Sequence, residues 1–342
     1  MSLMRLEAGQ APAAVARLLA HDGPAYAALG EQLRRMPPRS ILTLARGSFD
    51  HAAHYAGYLL MARLGRLATS LPMSLITLYG AQLDAEGLVA LAFSQSGQSP
   101  DLVEPTQQFS ARGACTVAFV NEAASPLARA ARWVFALHAG PERSVAATKS
   151  FIAQLAAGAR LVAAWQGDAG LAAALEALPA ALNQALAAGD TWCAAGVPAL
   201  ARAERLYVIG RGTGLAVAME AALKLKEVCG IQAEALSGAE LRHGPLALVG
   251  AGYPVLLFAP RGPALPGLLA LADDLRRHGA AVLLAAPPGT PGAQLPLTPT
   301  ADPDLDPIAA IQSFYMLVEA LARARGRDPD QPPHLAKVTK TR

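Results

Sequence analysis

Charge is what this sequence has least of. Aspartate, glutamate, lysine and arginine make up 16% of its 342 residues against 53% hydrophobic ones, so the chain has ample surface to bury and is not a disordered polymer. Its 29 basic and 26 acidic residues leave a net charge of +3 and are interspersed, so no basic stripe is offered to nucleic acid. Cysteine is nearly as scarce. Cys115, Cys193 and Cys229 form no CxxC pair and no zinc pattern, which excludes a disulfide framework and points to free buried thiols in a reducing cytoplasm. The histidines show neither HxxxH nor HExxH spacing, so no metal is expected. Lys149 and Arg160 interrupt the best apolar stretch before it reaches the ~18 residues of a membrane span. No basic segment precedes an apolar one at the start, so no secretory signal is expected.

What the sequence does have is rhythm. After a helix-prone opening from Met4 to Met36, Pro37-Pro38 stops the helix and short apolar runs follow. They lie at Ser40–Ala45, Met73–Tyr79, Leu88–Ser94, Cys115–Val120 and Trp133–Leu137, with helix-length stretches between them. A helical segment over Phe151–Ala188 leads to a second series at Leu206–Gly210, Ile231–Ala235, Pro254–Ala259, Ala281–Ala285 and, more weakly, Leu295–Leu297. A last helix is predicted over Ile308–Arg325. Apolar strands alternating with helices form parallel sheets covered on both faces. The expected fold is therefore α/β, with two tandem doubly wound, flavodoxin-like units. The expected boundaries are a helical segment over 1–36, domains over 37–165 and 196–325, a helical linker over 166–195 and a tail over 326–342.

Both series open alike, with a strand, glycine and hydroxyl residues, then a helix: Ala45-Arg46-Gly47-Ser48 and Gly210-Arg211-Gly212-Thr213. Such sheets bind ligands beyond the carboxyl ends of their strands. Gly210 to Gly214 lacks G-x-G-x-x-G spacing and no acidic residue completes a dinucleotide pattern, so NAD is rejected. The sharper signal is Ser94-Gln95-Ser96-Gly97-Gln98-Ser99-Pro100. Ser99 suits an N-cap and Pro100 the first helical position. The free N–H groups of that helix end and three hydroxyls suit a phosphate; an ordinary capped βα turn would read the same. Glu220, Lys224 and Glu227 share one helix face, either as a solvated ion-pair stripe or, with His243 before the Gly244-Pro245 turn, as a proton-moving site.

Together these segments resemble the SIS (sugar isomerase) domain family, in particular the isomerase half of glucosamine-6-phosphate synthase. The resemblance rests on Ser94-Gln95-Ser96-Gly97, Val145-Ala146-Ala147-Thr148-Lys149, the run Glu220 to Glu227, the run Ala239 to Leu248, and Leu335-Ala336-Lys337. It implies that Ser94, Gln95, Ser96 and Ser99 hold a phosphate, and that Gly47 and Ser48 line the sugar beside Val145, Ala147 and Ala336. It further implies that Glu227 is the base moving a proton between C1 and C2, and that His243 opens the sugar ring from a neighbouring subunit. Lys337 would contact the open-chain sugar or form a Schiff base with it, and Lys224 would lie near its oxygens. Three positions depart from the synthase pattern and bear on the sugar accepted: Arg46 replaces a cysteine, Phe49 a smaller polar residue, and Ala147 a serine.

Synthases also carry a glutaminase domain opening on a nucleophilic cysteine, whereas the first cysteine here is Cys115. The resemblance thus implies a cytoplasmic, homodimeric glucosamine-6-phosphate deaminase without cofactor or metal, binding neither nucleic acid nor membrane. Its alternatives are another aldose–ketose phosphosugar isomerase, a fructosamine-phosphate deglycase, and a sugar-phosphate-sensing regulatory module.

Overall fold

The apolar runs become strands because the helices packed on either side remove them from water on both faces. In the computed structural model, which describes residues 1–337, the chain opens on three helices: α1 (Leu3–Gly9), α2 (Ala11–Ala20) and α3 (Gly23–Arg35). Then follow β1 (Ser40–Leu44), α4 (Ser48–Leu64), β2 (Ala68–Ser70), α5 (Ser74–Thr77), β3 (Leu88–Ser94) and α6 (Pro100–Ala111). The series ends with β4 (Cys115–Val120), α7 (Pro126–Ala130) and β5 (Trp133–Ala136). Helices α8 (Lys149–Gln166), α9 (Ala169–Ala187) and α10 (Gly189–Leu200) lead into the second series. It consists of β6 (Arg205–Gly210), α11 (Gly214–Cys229), β7 (Gln232–Ser237), β8 (Pro254–Phe258), α12 (Leu265–Arg277), β9 (Ala281–Ala286), β10 (Leu295–Pro296) and α13 (Asp306–Ala324).

Two compact units result. One holds Ala13–Glu142, Lys149–Glu176 and, of the tail, Ala336 and Lys337; the other holds Met1–Pro12, Arg143–Thr148 and Ala177–Leu335. Each is built on an all-parallel five-stranded sheet, in the orders β2-β1-β3-β4-β5 and β7-β6-β8-β9-β10. Counted within its own unit, each order reads 2-1-3-4-5, the flavodoxin-like winding expected from the sequence. In the first sheet Phe93, Phe119 and Phe135 stack across β3, β4 and β5 with centroids 4.8 and 5.7 Å apart. Each such fully buried side chain contributes roughly 1.5–3 kcal/mol of transfer free energy.

In the second unit α13 is the core helix. Pro303–Ala324 is long and apolar enough to cross a bilayer by length and composition, yet 94% of its apolar 18-residue window is buried within the structure. Its start is fixed by Asp306, whose two carboxylate oxygens each accept from Arg261 at 2.7 Å. Such a carboxylate suits the positive end of a helix.

Two expectations change. Met73–Tyr79 is not a strand: its centre is the short helix α5, and Leu78 and Tyr79 are 67% and 80% exposed. An apolar run half open to water gains nothing from a central sheet position, and the place beside β1 goes to Ala68–Ser70. The single helical segment over Phe151–Ala188 is two helices, broken at Gly167 (φ +73°). Asp168 Oδ1 restarts the chain by accepting from the N–H groups of Gly170 and Leu171 at 2.8 and 3.0 Å.

The first unit also depends on a close helix crossing. A Cβ on Gly30 of α3 would lie 2.3 Å from the carbonyl oxygen of Ala164 in α8, and Arg34 of the same helix donates to the Trp165 carbonyl at 2.9 Å. Gly30→Ala gains about 1 kcal/mol of helix propensity, but backbone has to move to admit the methyl group. We expect a net loss of about 1–2 kcal/mol, since overpacking costs roughly 1–3 kcal/mol or more. In thermal denaturation this is a fall in Tm of a few degrees; an unchanged or raised Tm would show that the helices part freely.

Candidate active-site residues

In the first unit the strand order reverses between β1 and β3, where the βα turns of both strands face the same crevice. Leu44 pairs with Ala92 in register, so Arg46-Gly47-Ser48 and Ser94-Gln95-Ser96 leave the sheet side by side. Ser94 is buried, and its Oγ accepts from the N–H of Gly97 at 3.0 Å, while Ser96 Oγ accepts from the N–H of Gln98 at 3.3 Å. Gly97 has φ +61°, and a Cβ there would lie 2.2 Å from Ser125 Oγ, so only glycine closes this turn. Its carbonyl also accepts from the N–H of Leu127 at 3.1 Å, and that of Gln95 from Asn121 at 3.1 Å. Ser99 then caps α6 with extended backbone, and Pro100 fills the first helical position. The loop is a braced frame at the N-terminus of a twelve-residue helix. It is suited to an oxyanion.

Arg46 stands across the crevice. Its Nε lies 3.0 Å from Oδ2 of Asp101, a carboxylate only 1% exposed in the first turn of α6. Gly47, at φ +57°, caps α4, and Ser48 behind it is buried. The same unit holds Ala336 and Lys337 of the tail. Lys337 Nζ lies 3.0 Å from Oε2 of Glu142, which is fully buried and also accepts from Ser150 Oγ at 2.6 Å and from the Ser150 N–H at 3.1 Å. Beside it Lys149 donates to the Pro141 carbonyl at 2.6 Å. Glu142 is the residue that sequence reasoning missed. Its one local signal is an acidic residue between an apolar strand and an alanine-rich helix. Ala336, next to Lys337, is exposed.

In the second unit α11 carries a charged triad that is not a solvated stripe. Lys224 is 1% exposed and Glu220 0%, with Lys224 Nζ 3.4 Å from Glu220 Oε1 and 2.5 Å from Glu227 Oε2. Tyr315 of α13 donates its hydroxyl to Glu220 Oε1 at 3.1 Å. Burial by itself would lower the Lys224 pKa, but the Glu220 and Glu227 carboxylates outweigh it and hold the ammonium above its usual range. Glu227, 19% exposed, is the end of the triad that solvent reaches.

His243 sits apart from the triad, exposed at the end of the 3₁₀ turn Glu240–Arg242. It lines a cavity of about 370 Å³ with Arg211, Arg242 and Leu268, and neither Glu227 nor Lys224 borders that cavity. Val145 and Ala147 lie on the segment Arg143–Thr148, half-buried and buried. Glu7 fixes its start by accepting from the N–H groups of Arg143 and Ser144 at 2.5 and 3.1 Å. Among the described residues no three His, Cys, Asp or Glu side chains group to hold a metal ion.

A family model described as "SIS domain" matches residues 36–164 and 199–324. Glutamine–fructose-6-phosphate aminotransferase (isomerizing) of Aeropyrum pernix is 37% identical over 314 residues, covering 87% of this chain and 50% of that protein. The chain thus spans about half the length of the curated relatives it matches. A crystal structure from Silicibacter pomeroyi DSS-3, assigned to the phosphosugar isomerases, superposes with a TM-score of 0.89 at 41% identity, covering 96% of this chain and 100% of that one. Glucosamine-6-phosphate deaminase of Thermotoga maritima shares the fold, with a TM-score of 0.79 at 21% identity over 99% of this chain and 100% of its own.

Lys224→Met leaves the Glu220 carboxylate buried without its cation, a loss of about 3–5 kcal/mol. Glu220→Gln in the same chain should restore part of it, as read by urea denaturation. The raised lysine pKa stabilises the native state below the unfolded value of about 10.4 and stops doing so as pH rises through the folded one. Alkaline destabilisation of the wild type should therefore exceed that of Lys224→Met. Equal stability of wild type and Lys224→Met would remove the triad as a structural element.

Proposed function

The chain belongs to the SIS domain family, and on that footing we propose that it is a glucosamine-6-phosphate deaminase, releasing fructose 6-phosphate and ammonia. The observation that carries the reading is the buried triad on α11. A lysine sealed between two carboxylates is costly to desolvate, and a module that only senses sugar phosphates has no use for it. With Lys224 anchored by Glu220, Glu227 is the carboxylate with a face left for a ligand.

In this mechanism the loop Ser94 to Ser99 holds the 6-phosphate through hydroxyls and helix-end N–H groups. His243, from a second copy of the chain, moves the proton that opens the ring. Glu227 takes the proton from C2 and returns it to C1, leaving an imine at C2. Water adds to that carbon, and the C–N bond breaks to give the ketone and ammonia. Gly47, Ser48, Val145, Ala147 and Ala336 shape the sugar pocket. Lys337, held 3.0 Å from the Glu142 carboxylate, acts as a hydrogen-bond donor to the open-chain sugar.

The 41% identical Silicibacter structure favours a second reading, an aldose–ketose isomerase using the same proton transfer without loss of nitrogen.

Ammonia release across a panel of 6-phosphorylated amino and neutral sugars separates the two; isomerised sugar without ammonia would overturn the deaminase. A general base contributes about 10²–10⁴-fold to rate, so Glu227→Gln should lower kcat within that range with KM little changed. Near-normal turnover would leave Glu227 a salt-bridge residue. If His243 is donated between subunits, mixing inactive Glu227→Gln and His243→Ala proteins should recover part of the activity after subunit exchange. Verified heterodimers that stay inactive would refute the shared site.

A further inference from the structure

Hydroxyls and N–H groups alone leave a dianionic phosphate without a counter-charge, and the side chain placed to supply one is Arg46. It leaves β1 at the register position where Ser94 leaves β3, so the two face each other across the reversal of strand order. Among the described residues its Nε is tied to Asp101 at 3.0 Å. Asp101 belongs to the first turn of α6, the same turn whose N–H groups crown the serine loop. The carboxylate is sealed at 1% exposure while the Arg46 side chain is 53% exposed. Asp101 therefore fixes one edge of the guanidinium at the mouth of the loop and leaves the other edge to a ligand. A guanidinium presents its remaining N–H groups in a planar fork that matches phosphate oxygens.

We infer that Arg46 is a phosphate-binding residue of this site, with Asp101 as its positioning residue, and that together they tune it to the dianion of a sugar phosphate monoester. The inference deepens the phosphosugar reading and rests on it. It assigns Arg46 to the phosphate and not to the sugar, because Asp101 holds it against the helix end that faces the phosphate.

Calorimetric titration of fructose 6-phosphate and of inorganic phosphate tests it on wild type, Arg46→Met and Arg46→Lys. Loss of one charge-assisted contact predicts phosphosugar binding weaker by about 10- to 100-fold in Arg46→Met, with Arg46→Lys intermediate. The second pKa of a phosphate monoester is about 6, so wild-type affinity should rise as pH increases through that value, and the rise should flatten in Arg46→Met. Arg46→Met takes the guanidinium away from the buried Asp101, so Arg46→Met/Asp101→Asn is titrated as well. Weak binding in the folded double variant supports the inference. Recovery to wild-type affinity there, or Arg46→Met binding within twofold of wild type, overturns it. If wild type itself binds no phosphosugar, the phosphosugar reading falls with it; wild-type binding that Arg46→Met retains removes Arg46 alone.

Discussion

A carboxylate taken out of water needs a cation or a set of donors, and this chain, poor in charge, is organised around meeting that need. Six acidic side chains among the described residues are buried: Glu7, Asp101, Glu142, Glu220, Asp306 and Glu319. Each has a partner. Glu7 takes two backbone N–H groups, Asp101 takes Arg46, and Glu142 takes Ser150 and Lys337. Glu220 takes Lys224 and Tyr315, Asp306 takes Arg261, and Glu319 takes Ser2 and Arg5. An unpartnered carboxylate in any of these places would shift its protonation or move the backbone.

Their placement is informative. Asp306 and Glu319 serve the core helix α13, the first by fixing its start and the second by anchoring the amino terminus of the chain. Asp101 lies in the first turn of α6, Glu142 directly before the segment Arg143–Thr148 that Glu7 holds, and Glu220 midway along α11. Buried ion pairs contribute little net stability and much definition of geometry. Here they hold a tail lysine, a helix lysine and a turn arginine in place.

The serine loop shows why some of this was legible before any coordinates. Ser94 to Pro100 carries its structure locally: a strand end, a glycine at positive φ, a capping position and a proline in the first turn lie within seven residues. The triad on α11 was legible as a spacing but not as a site. The i, i+4, i+7 pattern shows that Glu220, Lys224 and Glu227 share a face, and only the packing of α13 reveals that the face is dry. Glu142 was invisible for the same reason, because the lysine it holds is 195 residues away.

The sequence by itself determined the alternation of strand and helix, the flavodoxin-like class, the twofold use of one plan and the position of the capped serine turn. Each depends on residues within a turn or two of one another, where apolar period, caps and glycines act directly. The tertiary structure alone decided which apolar run became an edge helix and not a strand, as in Met73–Tyr79, and which long apolar helix is a core and not a membrane span, as in α13. It also decided that the α11 charges lie inside and that Arg46 belongs to Asp101. Those outcomes turn on exclusion of water, and burial depends on what the rest of the chain packs against a residue.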